Sequence, residues 1–292
     1  MYIVDLKRNS IFSINFNDMA ERLIKSNKIR IGDISISYYH KKAKTESETT
    51  IIFLHGFPFN KNMWRPQLEN LPDHVSAIAV DIRGHGNSTA GHGFFSIDVF
   101  AKDLRVFMEK LDIQQCVLCG VSMGGYIALR AYELFPEKIT GLVLSDTHSK
   151  ADSNAAKQKR FDSIQAVLNH GRRPFAIGFV ENVFAARSID EMPDATELIK
   201  SSIRRNSIST ICATLLALAS RTDTSESLFQ IEVPCLLIRG AEDKITSKQD
   251  MTDMANAIPN NRFVEIENAG HLPNLEDARR FTDLLTEFLE KV

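Results

Sequence analysis

Short apolar runs recur along the chain, each bounded by glycine, aspartate, asparagine or charged residues. These compact, largely apolar runs are Thr50–Leu54, Val75–Val80, Cys116–Cys119, Gly141–Leu144, Cys235–Ile238 and Arg262–Ile266. Such runs predict strands buried on both faces of a parallel sheet. Ahead of them, Lys28–Ile31 and Ile34–His40 alternate around Gly32-Asp33, a hairpin signal. Between the runs lie helical patterns. Ser96 is placed to cap a helix reaching Leu111, with Val99, Phe100, Leu104, Phe107, Met108 and Leu111 on one stripe. Phe281, Leu284, Leu285, Phe288, Leu289 and Val292 step at the same spacing and predict a terminal helix packed on the sheet.

The alternation breaks once. Residues 149–225 contain no good strand and read as helical segments, with turn punctuation expected at Gly171, Pro174 and Pro193. An all-helical stretch inserted in a parallel-sheet protein predicts a lid over the strand ends. The expected organisation is an α/β core formed by residues 28–148 and 226–292, a helical cap at 149–225, and an N-terminal extension at 1–27. In that extension Asn17–Ser26 suits a short helix. No internal repeat or low-complexity tract interrupts this order.

Composition narrows the class. Of 292 residues, 43% are hydrophobic and 25% charged, which is ordinary for a globular protein with a sizeable core. A formal net charge of −2 gives no broad attraction for nucleic acid or an anionic membrane, and a small, roughly neutral substrate fits it. Charges in Asp5-Leu6-Lys7-Arg8 fall where a signal peptide would place its apolar core, and no run reaches the length of a membrane span. Four cysteines in so long a chain do not form a disulfide framework. Cys116 and Cys119 have CxxC spacing, but their odd separation in a strand sends them to opposite faces of the sheet. They read as core residues in a reducing cytoplasm.

Three polar positions carry the chemistry. Ser122 stands in Gly120-Val121-Ser122-Met123-Gly124, after a strand and before a helix. A serine hydroxyl is a weak nucleophile, so it must be exposed on a sharp turn beside a base, and flanking glycines permit that turn. The pentapeptide alone recurs by chance in roughly one chain in ten of this length; its place before a helix gives it weight. His271, in Asn268-Ala269-Gly270-His271-Leu272-Pro273, follows the last strand and can reach the serine as general base and acid. Asp243, in Gly240-Ala241-Glu242-Asp243-Lys244, follows the preceding strand and can orient the imidazole; Glu242 and Asp146 are alternative acids. Helix caps or loop hydrogen bonds would equally suit any of these residues taken singly. The order Ser122, Asp243, His271, each after a different strand, is what joins them.

The loop His55-Gly56-Phe57-Pro58 follows the strand Thr50–Leu54, so the Phe57 amide can join that of Met123 in holding an oxyanion. His55 is expected to hydrogen-bond within its loop, and Arg83 and His85 to hold neighbouring loops. Other chemistries lack support. Tyr126 stands where a phosphate-binding loop needs lysine, Gly84-His85-Gly86 lacks the third glycine of a dinucleotide loop, and no HExxH or similar metal cluster occurs. Trp64, Phe175, Phe179 and Phe184 are candidate substrate contacts, each equally suited to plain core packing.

Taken together, His55–Pro58, Asp81–Ser88, Gly120–Gly125, Gly240–Asp243 and Ala269–Pro273 resemble the α/β-hydrolase superfamily from about residue 28 to the end. Within it, Gly-Val-Ser-Met-Gly-Gly-Tyr and Asp-Ile-Arg-Gly-His-Gly-Asn-Ser look like the capped serine esterases and enol-lactonases. Ser122 differs from the aspartate of the dehalogenase and epoxide-hydrolase branches. Lys244-Ile245-Thr246 lacks the proline that many relatives carry after the acid. The resemblance implies the α/β-hydrolase fold, a mostly parallel sheet flanked by helices with an inserted cap. It also implies hydrolysis of a small ester through an acyl-enzyme, with no metal or organic cofactor. A lactone, a carbon–carbon bond or slow-turnover ligand binding would use the same residues. The cap, where substrate choice is made, is the least similar part.

Overall fold

A computed structural model describes residues 24–44 and 49–292, together with the backbone of two short strands, β1 (Ile3–Asp5) and β2 (Ser10–Phe12). These two pair with each other antiparallel. The expected helix over Asn17–Ser26 falls mostly outside the described residues, and Ser26 itself opens a strand.

One eight-stranded sheet organises the chain. Its strands are β3 (Ser26–Ile31), β4 (Ile34–Lys41), β5 (Thr50–Leu54), β6 (Ser76–Val80), β7 (Cys116–Val121), β8 (Ile139–Ser145), β9 (Cys235–Gly240) and β10 (Asn261–Ile266). The spatial order is β10-β9-β8-β7-β5-β6-β4-β3. β3 and β4 form the hairpin, β4 meets β6 antiparallel, and every other pairing is parallel. The strand period of two divides the central side chains between two apolar layers. In β7, Cys116 and Leu118 join one layer, and Val117, Cys119 and Val121 the other, so Cys116 and Cys119 face opposite ways.

Helices close both layers. α1 (Arg65–Asn70) packs on one face, and α2 (Ile97–Lys110) and α3 (Met123–Leu134) on the other. Ser96 caps α2 by accepting the Val99 amide at 3.1 Å. Residues 154–219 hold five helices and no strand: α4 (Asn154–His170), α5 (Arg172–Val183), α6 (Ala186–Glu191), α7 (Pro193–Arg205) and α8 (Ile208–Ala219). Gly171, at φ 79°, separates α4 from α5. Pro174 does not break the chain as expected; it lies in the first turn of α5, where a missing N–H costs no intrahelical bond. The chain then returns to the sheet through α9 (Lys248–Ala257), α10 (Pro273–Glu276) and α11 (Ala278–Leu289). Phe281, Leu284 and Leu285 of α11 are buried against the same layer as α1. Among the described residues no helix is long and apolar enough to cross a membrane.

Two features fix the loops beyond the strand ends. His55, fully buried after β5, accepts the Ile82 amide on Nε2 at 3.0 Å and donates from Nδ1 to the Gly56 carbonyl at 2.8 Å. The ring therefore ties the loop after β5 to the loop after β6, rather than serving its own loop alone. Burial lowers its pKa to about 4; burial and the neighbouring His55 ring lower that of His85 to about 3. The second feature is close backbone approach. A Cβ on Gly124 would stand 2.1 Å from the Leu54 carbonyl oxygen, and one on Gly120 would stand 2.3 Å from the Gly124 backbone. Only glycines let α3 start directly above β5.

Both features have measurable consequences. His55 and His85 stay neutral when folded but take up protons when unfolded, below the ordinary histidine value of 6.5. Stability should therefore fall as pH drops from 6.5 towards 4, by about 3 kcal/mol from His55 alone once fully expressed. Urea unfolding between pH 6.5 and 5, above most carboxylate titration, should show the decline; a flat profile would contradict it. Gly124→Ala should destabilise the fold by at least about 3 kcal/mol, read as a lowered Tm, whereas an unchanged Tm would mean that β5 yields.

Candidate active site

The parallel strands end at one edge of the sheet, and the loops leaving that edge carry the site. β7 runs into α3 through a single residue, Ser122, with φ 54° and ψ −115°. A β-carbon-bearing residue disfavours this left-handed region, so the turn holds strain that the packing of β7 and α3 sustains. Its backbone is fixed by bonds of the Ser122 amide to the Ser145 carbonyl (3.0 Å) and of the Thr147 hydroxyl to the Ser122 carbonyl (2.8 Å). Met123 is the first residue of α3, so its amide has no carbonyl one turn earlier in the helix. Phe57, after β5, lies on the same cavity as Ser122.

His271 is buried in the loop between β10 and α10, and its Nδ1 lies 2.9 Å from Asp243 Oδ2. The proton on Nδ1 is donated to this carboxylate, which leaves Nε2 as the second ring nitrogen of a residue that lines the cavity with Ser122. Asp243 is 7% exposed, whereas Glu242 beside it is exposed, so geometry separates two neighbours that spacing could not. Burial pushes the Asp243 pKa up, but His271 and the amides of Ile245 and Thr246 outweigh it and hold the carboxyl below the ordinary range. Asp146, after β8, is also buried nearby but does not bond His271. Its oxygens accept the Gly240 amide at 2.8 Å and the Ser145 hydroxyl at 2.6 Å. Burial, and then the negative Asp243, raise its pKa well above the ordinary value.

Asp146, Asp243 and His271 each place one donor atom within 4.8 Å of the others, the separation a metal site would use. Each already has a protein partner: Asp243 bonds His271 and the Ile245 amide, and Asp146 the Gly240 amide and the Ser145 hydroxyl.

The cavity over Ser122 and His271 measures about 610 Å³, within the range for a small ligand. Phe175 and Phe179 of α5 line it, with Phe175 tilted against Phe57 at 6.5 Å and Phe179 edge-on to it at 6.0 Å between ring centroids. The other two aromatic candidates lie elsewhere. Trp64 is fully buried against Phe53 and Phe281, and Phe184 is fully buried in the same layer, just past the end of α5. Trp64 fills space between α11 and the sheet, and neither residue lines the cavity. Leu215, Leu218, Tyr126, His148 and Lys244 do reach it, as do Asp152, Lys159 and Arg160. Of these, Tyr126 and Lys244 adjoin the Ser122 and Asp243 motifs in the sequence.

Glu276 is a further residue that spacing alone does not disclose. Its carboxylate accepts the Gly270 amide at 2.9 Å and the Ala185 amide at 2.8 Å, while the His271 amide donates to the Val183 carbonyl at 2.8 Å. The histidine loop is thereby fastened to the end of α5.

Comparison with known proteins agrees with this architecture. The family model described as the alpha/beta hydrolase fold matches residues 49–278. The chain is 27% identical over 241 residues to 3-oxoadipate enol-lactonase 2 of Acinetobacter baylyi, spanning 82% of this chain and 88% of that one. A thermophilic esterase from Thermogutta terrifontis shares 30% identity and superposes with a TM-score of 0.84, covering 91% of this chain and 98% of the esterase. The enol-lactonase from Burkholderia xenovorans LB400 superposes equally well, with a TM-score of 0.84 over 91% of this chain and 100% of its own, at 23% identity that speaks for fold alone. The matched span runs from β5 to the start of α11 and includes every loop at the site; the chain belongs to the α/β-hydrolase fold family, in its esterase and enol-lactonase-like group, and is a hydrolase.

Proposed function

We propose that the protein hydrolyses a small carboxylic ester or lactone through an acyl-enzyme on Ser122. One observation carries this reading: a serine held at φ 54° opens onto the same cavity as His271, whose Nδ1 lies 2.9 Å from the buried Asp243 carboxylate. In the proposed reaction Ser122 Oγ attacks the carbonyl carbon and His271 Nε2 takes the hydroxyl proton. Asp243 keeps the proton of the imidazole on Nδ1 and stabilises the imidazolium. The amides of Phe57 and Met123 hold the oxyanion. Collapse of the tetrahedral intermediate expels the alcohol, which takes the proton from His271. Water, activated by the same imidazole, then releases the acid and restores Ser122.

Residues 149–225 act in this reading as a cap, with α5 and α8 closing the cavity through Phe175, Phe179, Leu215 and Leu218. Polar groups that also line the cavity shape the choice of substrate. Asp152 is bound by Arg160 and by buried Arg221, whereas Lys159 and Lys244 add positive charge. A substrate bearing a carboxylate beyond its ester is therefore favoured over a cationic one. The ester and enol-lactone chemistry named for the relatives supports the reaction class. Four free cysteines, three of them buried, support a reducing, cytoplasmic setting.

The test is a panel of short-chain esters, lactones and monoesters of dicarboxylic acids. Turnover of at least one class is expected, falling by at least about a thousandfold in Ser122→Ala. A fluorophosphonate should label wild type and not the variant. Esterase activity retained by Ser122→Ala would move the nucleophile elsewhere. Asp243→Asn should cost nearly as much; full activity in that variant would remove Asp243 from the role.

A further inference from the structure

The loops after β8 and β9 bring two buried carboxyls together. Asp146 is fully buried and sits at φ 47°, a conformation held by its amide bond to the Ile238 carbonyl (3.0 Å) and by the Thr246 hydroxyl bonded to the Asp146 carbonyl (3.0 Å). This geometry brings its carboxyl close to that of Asp243: one oxygen of each and a ring nitrogen of His271 lie within 4.8 Å of one another. Two carboxylates this close and away from water resist being ionised together, which favours a single proton held by the pair.

The surroundings decide where that proton lies. Asp243 faces the His271 ring and the Ile245 amide, donors that favour a carboxylate. Asp146 meets only the neutral Ser145 hydroxyl and the Gly240 amide. Other charged groups nearby are already engaged or open to solvent. On β9 the Arg239 guanidinium serves the carbonyls of Ala241, Asp243 and Thr246 and the Glu265 carboxylate. Glu242 and Lys244 are exposed, the Tyr126 phenol on α3 lies against His148, and burial, then Arg221, keep His148 neutral.

We propose that Asp146 is a positioning residue: a neutral carboxylic acid that donates its proton in a hydrogen bond to the Asp243 carboxylate and so holds Asp243 towards His271. By sharing the negative charge of Asp243, this bond keeps the carboxylate a poor base, so the imidazolium formed during turnover retains its Nδ1 proton. The role rests on the Ser122, His271 and Asp243 reading above and adds a fourth member to it. No atom of Asp146 touches the substrate; it acts through Asp243.

Two variants, measured alongside wild type, separate the possibilities. Asp146→Asn preserves both the donor and the acceptor of a neutral acid. It should retain kcat/KM within about threefold and leave the acid limb of the pH profile in place. Asp146→Ala removes the donor. It should lower kcat by roughly ten- to a hundredfold with KM little changed and move the acid limb upward, because an unshared Asp243 charge makes His271 more basic. The low-field Nδ1 proton resonance of His271 should shift in the alanine variant and not in the asparagine variant. Were Asp146 ionised, asparagine would delete a negative charge beside His271 and move the acid limb downward; that result overturns the proposal. So does an alanine variant with the wild-type profile. If the alanine variant does not fold, the asparagine profile alone decides. Labelling of wild type by fluorophosphonate, absent in Ser122→Ala, keeps a failure here distinct from failure of the triad itself.

Discussion

Everything at the site depends on parallel pairing. Strands β5, β7, β8, β9 and β10 run the same way, so their carboxyl ends lie along one edge and their loops converge there. Phe57, Ser122, Asp146, Asp243 and His271 are distant in sequence and come from five of these loops. The order of strands decides who meets whom: β8 lies between β7 and β9, so Asp146 comes up between the serine and the acid. The glycine contacts at the β7–α3 turn then seat the helix directly on β5. A candidate site assembled this way has a rigid floor, because each of its loops is only a few residues from a strand of the sheet.

Much of this was legible because buried parallel strands write themselves as compact apolar runs, and functional loops sit where such runs stop. The eight sheet strands were placed to within about two residues at nearly every end, and the Ser96 cap fell where its side chain bonds Val99. What spacing could not do was rank equivalent positions. Asp146, Glu242 and Asp243 all follow strands, and only burial and the 2.9 Å contact with His271 distinguish one of them. The aromatics show the same limit. Trp64 and Phe184 look as suitable for a pocket as Phe175 and Phe179, yet which side of a helix faces a cavity depends on how α5 lies against the sheet. That packing is a property of contacts between distant segments, as are the clamp at Glu276 and the charges at the cavity wall. Pro174 failed as a boundary marker for a local reason, since proline is as much at home in a first turn as in a break.

Burial is used here to keep groups uncharged. His55 serves as a neutral fastener between the loops after β5 and β6, and neutral His85 braces its own loop through the Arg83 carbonyl, with Thr214 of α8 on its other nitrogen. Elsewhere buried charge is admitted only with its partner. Lys61 and Asp81 form an ion pair at 2.6 Å beside the same loops, with Asp81 also accepting the Lys61 and Asn87 amides. Arg83 is gripped by Asp103 and Asp33. Fully bonded pairs of this kind fix loop geometry, because removing one partner strands the other in a dry interior.

The bond between the His271 amide and the Val183 carbonyl, with Glu276 bridging Gly270 and Ala185, couples two parts of the molecule with different tasks. The end of α5, a helix that lies over the cavity, is bonded to the very loop that carries the imidazole. Exchanging this helical segment for one of another shape is therefore not a free graft: the junction at residues 183–185 is also the mounting of the histidine. Changes to that segment reach the His271 loop unless they leave those three residues in place.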